Sequence, residues 1–387
     1  MTKNVLQFGP CRRGRFVARP NRFVVHCELE GCGQISAFLP NPGRLWELLL
    51  PGAVVHLEEC EDGAGGAEAR KHRYTAVAVE RDGRPVLLHT HRANDVAKAL
   101  IDTGRIPGLE GVRVTRGEVS CGRSRFDFLL RRRRTDLFLE VKSCTLFGHR
   151  IAMFPDAVTD RGRRHLIDLA ETSRRRARPV VLFLVHTPRV DWFLPDYHTD
   201  LAFSQTLLEL RTKLDVIAVA VRWRFDLTLA PDVKRLEIPW GLLKREAQDR
   251  GSYLLILRLD RDHPLAVGSL GHVLFPAGYY IYVGSAMHNL SARLARHLRR
   301  RKTLHWHVDF LRQAAAHCTP LAIRSSTRGE CSLAAALSEC FAAGPRGFGS
   351  SDCSCPTHLF FSEGNPLHLR RFHDLLQRFR MKQPEEE

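Results

Sequence analysis

Two carboxylates and an ammonium fall into register within one short stretch of the chain. Residues 125–130 read Arg-Phe-Asp-Phe-Leu-Leu, four arginines and Thr-Asp follow, and residues 137–143 read Leu-Phe-Leu-Glu-Val-Lys-Ser. Alternate residues of an extended strand share a face, so Arg125, Asp127 and Leu129 line up on one run and Phe138, Glu140 and Lys142 on the other. Joined as a hairpin, these runs put Asp127 and Glu140 where they can hold a divalent cation and a water, with Lys142 beside a phosphate. That is the equipment of a metal-dependent phosphodiesterase. The plainer reading is an ordinary salt bridge. Glu140 and Lys142 nevertheless sit in an otherwise apolar run, where a charge needs a partner or a metal. Glu118, upstream, reads either as a third acidic group or as a solvated side chain.

The chain around the hairpin has 387 residues, with 59 Lys+Arg against 42 Asp+Glu, a formal net charge of +17 and 44% hydrophobic residues. Such a length predicts two or three domains. The excess of positive charge favours a polyanionic partner, nucleic acid ahead of an anionic membrane surface, because the arginines cluster. No run reaches the length of a membrane span and no apolar segment follows Lys3, so the expectation is a cytoplasmic protein without membrane attachment. The 11 cysteines are an odd, scattered set, better read as free thiols or metal ligands than as a disulfide framework.

From about Phe16 to Val79, short β-type runs separated by Gly and Pro predict a small barrel or sandwich. Residues 40–44, Pro-Asn-Pro-Gly-Arg, read first as a turn, with backbone amides and Arg44 also available to a phosphate. Asn94 is placed to cap a helix. After the hairpin, residues 160–170 predict an amphipathic helix with Leu166, Leu169 and Ala170 inward and Asp160, Arg161, Arg164 and His165 in its first turns. Continuous apolar runs at 179–185 and 215–221 predict strands buried on both faces of an α/β sheet. The polar stretch 231–249 reads as a linker. Beyond it, strands at 251–259 and 275–285 precede a helix whose polar face is basic.

Pro40-Asn-Pro-Gly43, Gly122-Arg-Ser-Arg125-Phe-Asp127-Phe, Leu139-Glu140-Val-Lys142-Ser143 and Phe154-Pro-Asp156-Ala-Val-Thr-Asp160-Arg161-Gly162 with His165-Leu166 resemble the sugar fermentation stimulation protein family, SfsA, from about Phe16 to Leu229. The resemblance implies an OB-like β-barrel at 1–85 and a PD-(D/E)xK nuclease-like α/β core at 86–230. It implies DNA and/or RNA binding and Mg²⁺- or Mn²⁺-dependent phosphodiester hydrolysis, with Asp127 and Glu140 as metal ligands and Lys142 on the water and phosphate. Glu118 would be an upstream helper at the metal, Arg125 and Arg161 would meet the backbone, and His165 would line the site and contact nucleic acid.

Gly251-Ser-Tyr253 and Tyr282-Val-Gly284 resemble the paired motif of the GIY-YIG nuclease superfamily, which implies a third α/β domain at 250–387. Arg293 falls at the family's arginine position, and His297, one turn later on the same face, would contact nucleic acid. Tyr253 and Tyr282 would then assist water activation, Arg293 would stabilise the phosphate, and Glu330, with Glu339 as second choice, would hold a single metal. A long insertion at 261–276 and Ser252 depart from the family pattern. Cys331, Cys353, Cys355 and His358 are enough to form a tetrahedral zinc site, yet Cys-x-Cys is not the common spacing and such cysteines serve equally as small apolar residues. Arginine clusters at 131–134, 174–176 and 299–302 form a footprint for phosphate backbones rather than a sequence reader. The rival to a nuclease is a non-catalytic DNA-binding regulator of sugar fermentation genes. The sequence leaves the oligomeric state open, a homodimer included.

Overall fold

The computed structural model describes residues 8–60, 72–175 and 177–384, and divides into two compact units. The first comprises Met1–Asp196 and Ala202–Trp240, the second Tyr197–Leu201 and Gly241–Glu387. Among the described residues no helix is long and apolar enough to cross a membrane. The side chains of arginines 174–176 and the acidic end 385–387 lie outside the described residues.

The first unit opens with β1 (Cys11–Asn21), β2 (Val24–Leu29), β3 (Gly33–Phe38), β4 (Val54–Glu59), β5 (Tyr74–Arg81) and β6 (Arg84–Leu87). Their order is β3-β2-β1-β4-β5-β6, and a parallel pairing of β3 with β5 closes β1–β5 into a barrel. Closure removes the open edges that short antiparallel strands would otherwise expose. Gly14 lets β1 pack closely between its neighbours, since a Cβ there would lie 2.8 Å from Leu57 Cδ1 and 3.0 Å from Glu28 O.

Next come α1 (Ala93–Asp102), β7 (Arg113–Cys121), β8 (Ser124–Arg132), β9 (Thr135–Cys144), β10 (Leu146–Phe147), β11 (Ile151–Phe154) and α2 (Asp160–Glu171). The unit continues with β12 (Arg178–Val185), β13 (Trp192–Pro195), α3 (Leu201–Leu210), β14 (Asp215–Trp223) and β15 (Leu229–Arg235). Six strands form a mixed sheet, β15-β14-β12-β9-β8-β7, in which β9, β12 and β14 run parallel. The continuous apolar run of β12 is explained by its two covered faces. Val180, Leu182 and Leu184 pack with Val96, Leu100 and Ile101 of α1, while Val181, Phe183 and Val185 share a core with Leu166 and Leu169 of α2 and with the barrel. A small sheet, β10-β11-β13, completes the unit.

The stretch expected to be a polar linker is not one. β15 pairs antiparallel with β14, and residues 240–246 form α4 (Trp240–Glu246), because Leu236, Leu242 and Leu243 are buried among the charged residues. The second unit continues with β16 (Gly251–Leu259), β17 (His263–Ala266), β18 (His272–Phe275), β19 (Gly278–Ala286), α5 (Leu290–Leu298), α6 (His307–Ala314), β20 (His317–Arg324), α7 (Glu330–Ser338), β21 (Ala342–Ala343), β22 (Leu359–Ser362) and α8 (Arg370–Arg380). Its sheet order is β20-β16-β19-β22-β21, and the 261–276 insertion folds as the separate β17–β18 hairpin.

Candidate functional site

In the first unit, β8 pairs antiparallel with β9 through Phe128↔Leu139 and Leu129↔Phe138, which carries Asp127 and Glu140 to neighbouring positions. Asp127 is fixed from two sides: Val141 N donates to Oδ2 at 2.7 Å and Asn94 Nδ2 to Oδ1 at 2.8 Å. Glu140 is 4% exposed. Its Oε1 accepts from Lys142 Nζ at 2.5 Å and from His165 Nδ1 at 2.7 Å, while Oε2 is buried with no hydrogen-bond partner among the described residues. A cavity of about 210 Å³ collects Asp127, Glu140, Lys142, Arg161 and His165, with Glu118 and Arg125 also on its wall.

Burial and then the Glu140 charge raise the Asp127 carboxyl above its ordinary value. Burial pushes Glu140 the same way, but hydrogen bonds from His165 and Lys142 and their charges outweigh it and hold that carboxyl below the usual range. The pair is therefore split, with Glu140 the firmly ionised member. An ionised, buried carboxylate with one vacant oxygen beside a second carboxylate is an oxygen donor set suited to a hard divalent cation, so the residues fit such an ion.

α2 positions His165. Its N-cap Thr159 accepts from Gly162 N at 3.0 Å, and Gly162 is needed because a Cβ would meet Thr159 Oγ1 at 2.8 Å. Ser124 Oγ donates to Asp168 Oδ2 at 2.5 Å and ties the helix to β8. Arg161 donates weakly from Nε to His165 Nε2 at 3.5 Å. His165, expected to line the site and contact nucleic acid, is thus first a partner of Glu140. Glu118 stands at a positive φ of 50° with an exposed side chain, its Oε2 3.4 Å from an equally exposed Arg125.

Two expectations change. Asn94 does not cap α1, since Arg92 holds that position, and instead orients Asp127 from the first turn. The amides of the 40–44 turn are engaged within the protein: Asn41 N donates to Leu39 O at 2.8 Å and Gly43 N to Asn41 Oδ1 at 2.9 Å. Leu45 N donates to Asp156 Oδ2 at 3.2 Å, and a Cβ on Gly43 would fall 2.3 Å from the same oxygen, so the Pro-Gly turn of the barrel receives the aspartate of the 154–162 motif. Arg44 lies over the Trp46 ring at 4.9 Å. Nothing local in the sequence signals either contact, because the partners are 33 and 111 residues apart.

In the second unit, Tyr253 and Gly284 face each other across β16 and β19, and a Cβ at Gly284 would lie 2.4 Å from the Tyr253 ring. Tyr253, Tyr282, Arg293 and Glu330 converge on a cavity of about 370 Å³ that Ser285, Trp306 and Asp352 also line. The Tyr253 hydroxyl donates to His297 Nε2 at 2.8 Å, and His297 Nδ1 lies 3.6 Å from Asp309. His297 is 1% exposed, so its expected contact with nucleic acid is corrected to a buried support for Tyr253. Burial raises both tyrosine hydroxyls, which stay protonated donors. Arg293 lies over Trp306 at 4.3 Å. Glu330 accepts from Ser285 Oγ on one oxygen and from His358 Nδ1 at 3.0 Å on the other, whereas Glu339 is exposed at the far end of α7. Burial favours the neutral Glu330, yet the His358 and Ser285 hydrogen bonds keep it below the usual range.

Fold and sites together define a multidomain α/β protein: an OB-like barrel, a mixed sheet with a carboxylate-lined cavity, and a second α/β unit with its own polar cavity. Residues 17–88 match the SfsA N-terminal OB domain, 91–227 the sugar fermentation stimulation protein RE domain, and 252–381 the domain of unknown function DUF123. The chain belongs to the sugar fermentation stimulation protein family, extended by a GIY-YIG-like C-terminal region. A sugar fermentation stimulation protein homolog of Methanothermobacter thermautotrophicus is 38% identical over 195 residues, 50% of this chain and 79% of that one. One from Moorella thermoacetica is 37% identical over 198 residues, 51% of this chain and 83% of that one. The structure of Pyrococcus furiosus SfsA in complex with Ca²⁺ superimposes with a TM-score of 0.54 at 26% identity, covering 61% of this chain and 99% of that one.

Proposed function

We propose that this protein binds DNA or RNA through its phosphates and hydrolyses phosphodiester bonds at the Asp127–Glu140–Lys142 cavity with the help of Mg²⁺ or Mn²⁺. The observation that carries this reading is the vacant Oε2 of Glu140, buried and ionised beside Asp127. Asp127 and Glu140 hold the cation, which when bound lowers the pKa of a water and offsets charge on the phosphate. Lys142 keeps its ammonium at the cavity, where it can turn from Glu140 to a phosphate oxygen. His165 and Asn94 hold the two carboxylates in their orientations, and Arg125 and Arg161 offer charge at the wall. The Ca²⁺ named for the Pyrococcus furiosus relative supports a site for a hard cation in this fold. Tyr253, Tyr282, Arg293 and Glu330 form a second candidate phosphodiester site.

The test is cleavage of labelled single-stranded and duplex DNA and RNA, with and without Mg²⁺, by the full chain and by Lys142→Ala and Arg293→Ala. Metal-dependent cleavage that survives Arg293→Ala and disappears in Lys142→Ala is expected. Tight binding with no cleavage under any metal would replace this reading with a non-catalytic DNA-binding regulator. Cleavage lost only in Arg293→Ala would move the chemistry to the second cavity.

A further inference from the structure

Behind the second cavity, four side chains converge that take no part in the proposed hydrolysis. Cys331 stands in the first turn of α7, and Cys353, Cys355 and His358 come from the loop that leads into β22. One ligand atom from each lies within 4.8 Å of all the others. Cys353 Sγ is 3.5 Å from His358 Nε2. Zn–S bonds of about 2.3 Å and Zn–N bonds of about 2.05 Å in a tetrahedron put sulfur and nitrogen about 3.6 Å apart, so this edge already has the dimension of a filled site.

We infer that Cys331, Cys353, Cys355 and His358 Nε2 bind a structural zinc ion, and that Glu330 holds the histidine ligand in place from the cavity side. The donor set favours zinc, since three sulfurs and an imidazole in a tetrahedral arrangement match a closed structural site. The tautomer is set as a ligand requires: His358 Nδ1–H donates to Glu330 Oε1 at 3.0 Å, leaving the Nε2 lone pair aimed at the thiols. His358 is 1% exposed and cannot swing away, while Cys331 is exposed, so an ion has an entrance. The loop is also fitted to the cavity. Gly349, at φ +71°, admits the Tyr282 ring where a Cβ would meet Cε2 at 2.6 Å, and its amide donates to His307 Nδ1 at 3.1 Å. Ser351 and Asp352, just ahead of the first loop cysteine, line the cavity wall. Zinc would therefore clamp the start of α7, with Glu330, to the loop that carries Asp352. This inference does not depend on either cavity cleaving nucleic acid.

The full chain, expressed with added zinc and purified without chelators, is analysed by inductively coupled plasma mass spectrometry. The expected result is one zinc per chain, mostly lost in Cys353→Ser and Cys355→Ser and retained in Cys340→Ser, whose thiol lies outside the cluster. A wild-type chain without metal, with iron instead, or with these cysteines in disulfides by mass spectrometry overturns the inference. If the serine variants do not fold, cobalt substitution of the wild-type chain decides: intense tetrahedral bands with thiolate charge transfer support the site, and an octahedral spectrum overturns it. Glu330→Ala should weaken zinc binding about tenfold or more in chelator competition, the usual effect of removing a histidine's hydrogen-bond partner. Unchanged affinity would overturn the role given to Glu330.

Discussion

The two cavities treat their glutamates in opposite ways. In the first, Glu140 spends one oxygen on a lysine and a histidine and leaves the other buried and vacant. In the second, Glu330 has both oxygens engaged, by Ser285 and His358. A buried carboxylate oxygen without a partner costs free energy that a cation recovers. An oxygen already satisfied offers less gain to an incoming ion. The first cavity is thus the better prepared for a metal, and the second is the better organised around a fixed histidine.

A third carboxyl sharpens the contrast. Glu47 Oε1 is also buried without a hydrogen-bond partner among the described residues, but burial and then the Asp156 charge push that carboxyl up to about 7, against the lowering effect of Arg81. Glu140 is also desolvated but shifts the opposite way, because His165 and Lys142 hydrogen-bond it directly. A vacant oxygen on a neutral carboxyl offers a cation little; a vacant oxygen on a group kept ionised offers it a full negative charge.

The largest predicted effect tests the first cavity directly. Glu140→Gln or Lys142→Ala should lower metal-dependent cleavage about 10²–10³-fold, as expected for losing an electrostatic group at the reacting phosphate. Glu330→Gln causing the larger loss in the same gel assay would invert the comparison. Gly284→Ala should cost the second unit about 2–3 kcal/mol in urea unfolding, since the new methyl overlaps the Tyr253 ring. Cleavage governed by the first cavity should persist, and its loss would refute the separation of the two sites.

Glu47→Gln should stabilise the chain by about 2 kcal/mol at pH 8 and by little at pH 5, in thermal melts at both pH values. The sign follows from a folded pKa raised to about 7: above the unfolded value near 4.5 the native state must keep or lose a proton that the unfolded chain has already released, so stability falls as pH rises to 7. An equal gain at both pH values would mean the carboxyl is not buried uncharged. The smallest effect is expected for Asn94→Ala, which leaves Asp127 with the Val141 amide alone. The Mg²⁺ needed for half-maximal cleavage should rise about tenfold, and an unchanged metal requirement would remove Asn94 from the site.

How much of this was legible in the sequence depended on range. The hairpin and the α2 face are local, because strand and helix periods of 2 and 3.6 residues put Asp127, Glu140 and Leu166 on definite sides wherever the element lies. The doubly buried β12 announced itself by its unbroken apolar run. The stretch 231–249 misled because charged residues outnumber the leucines that anchor β15 and α4. His297 misled because helical spacing put it beside Arg293 but did not say which side faced the core.

Sequence alone determined the carboxylate hairpin, the doubly buried strands, the basic character and the family resemblance. Tertiary structure decided the partners: Asn94 on Asp127, His165 on Glu140, Asp156 on the Gly43 turn, and Cys331 beside a loop more than 20 residues later. Each of these joins segments far apart in the chain, and residue periodicity carries no information about which distant surfaces hydrophobic packing will bring together.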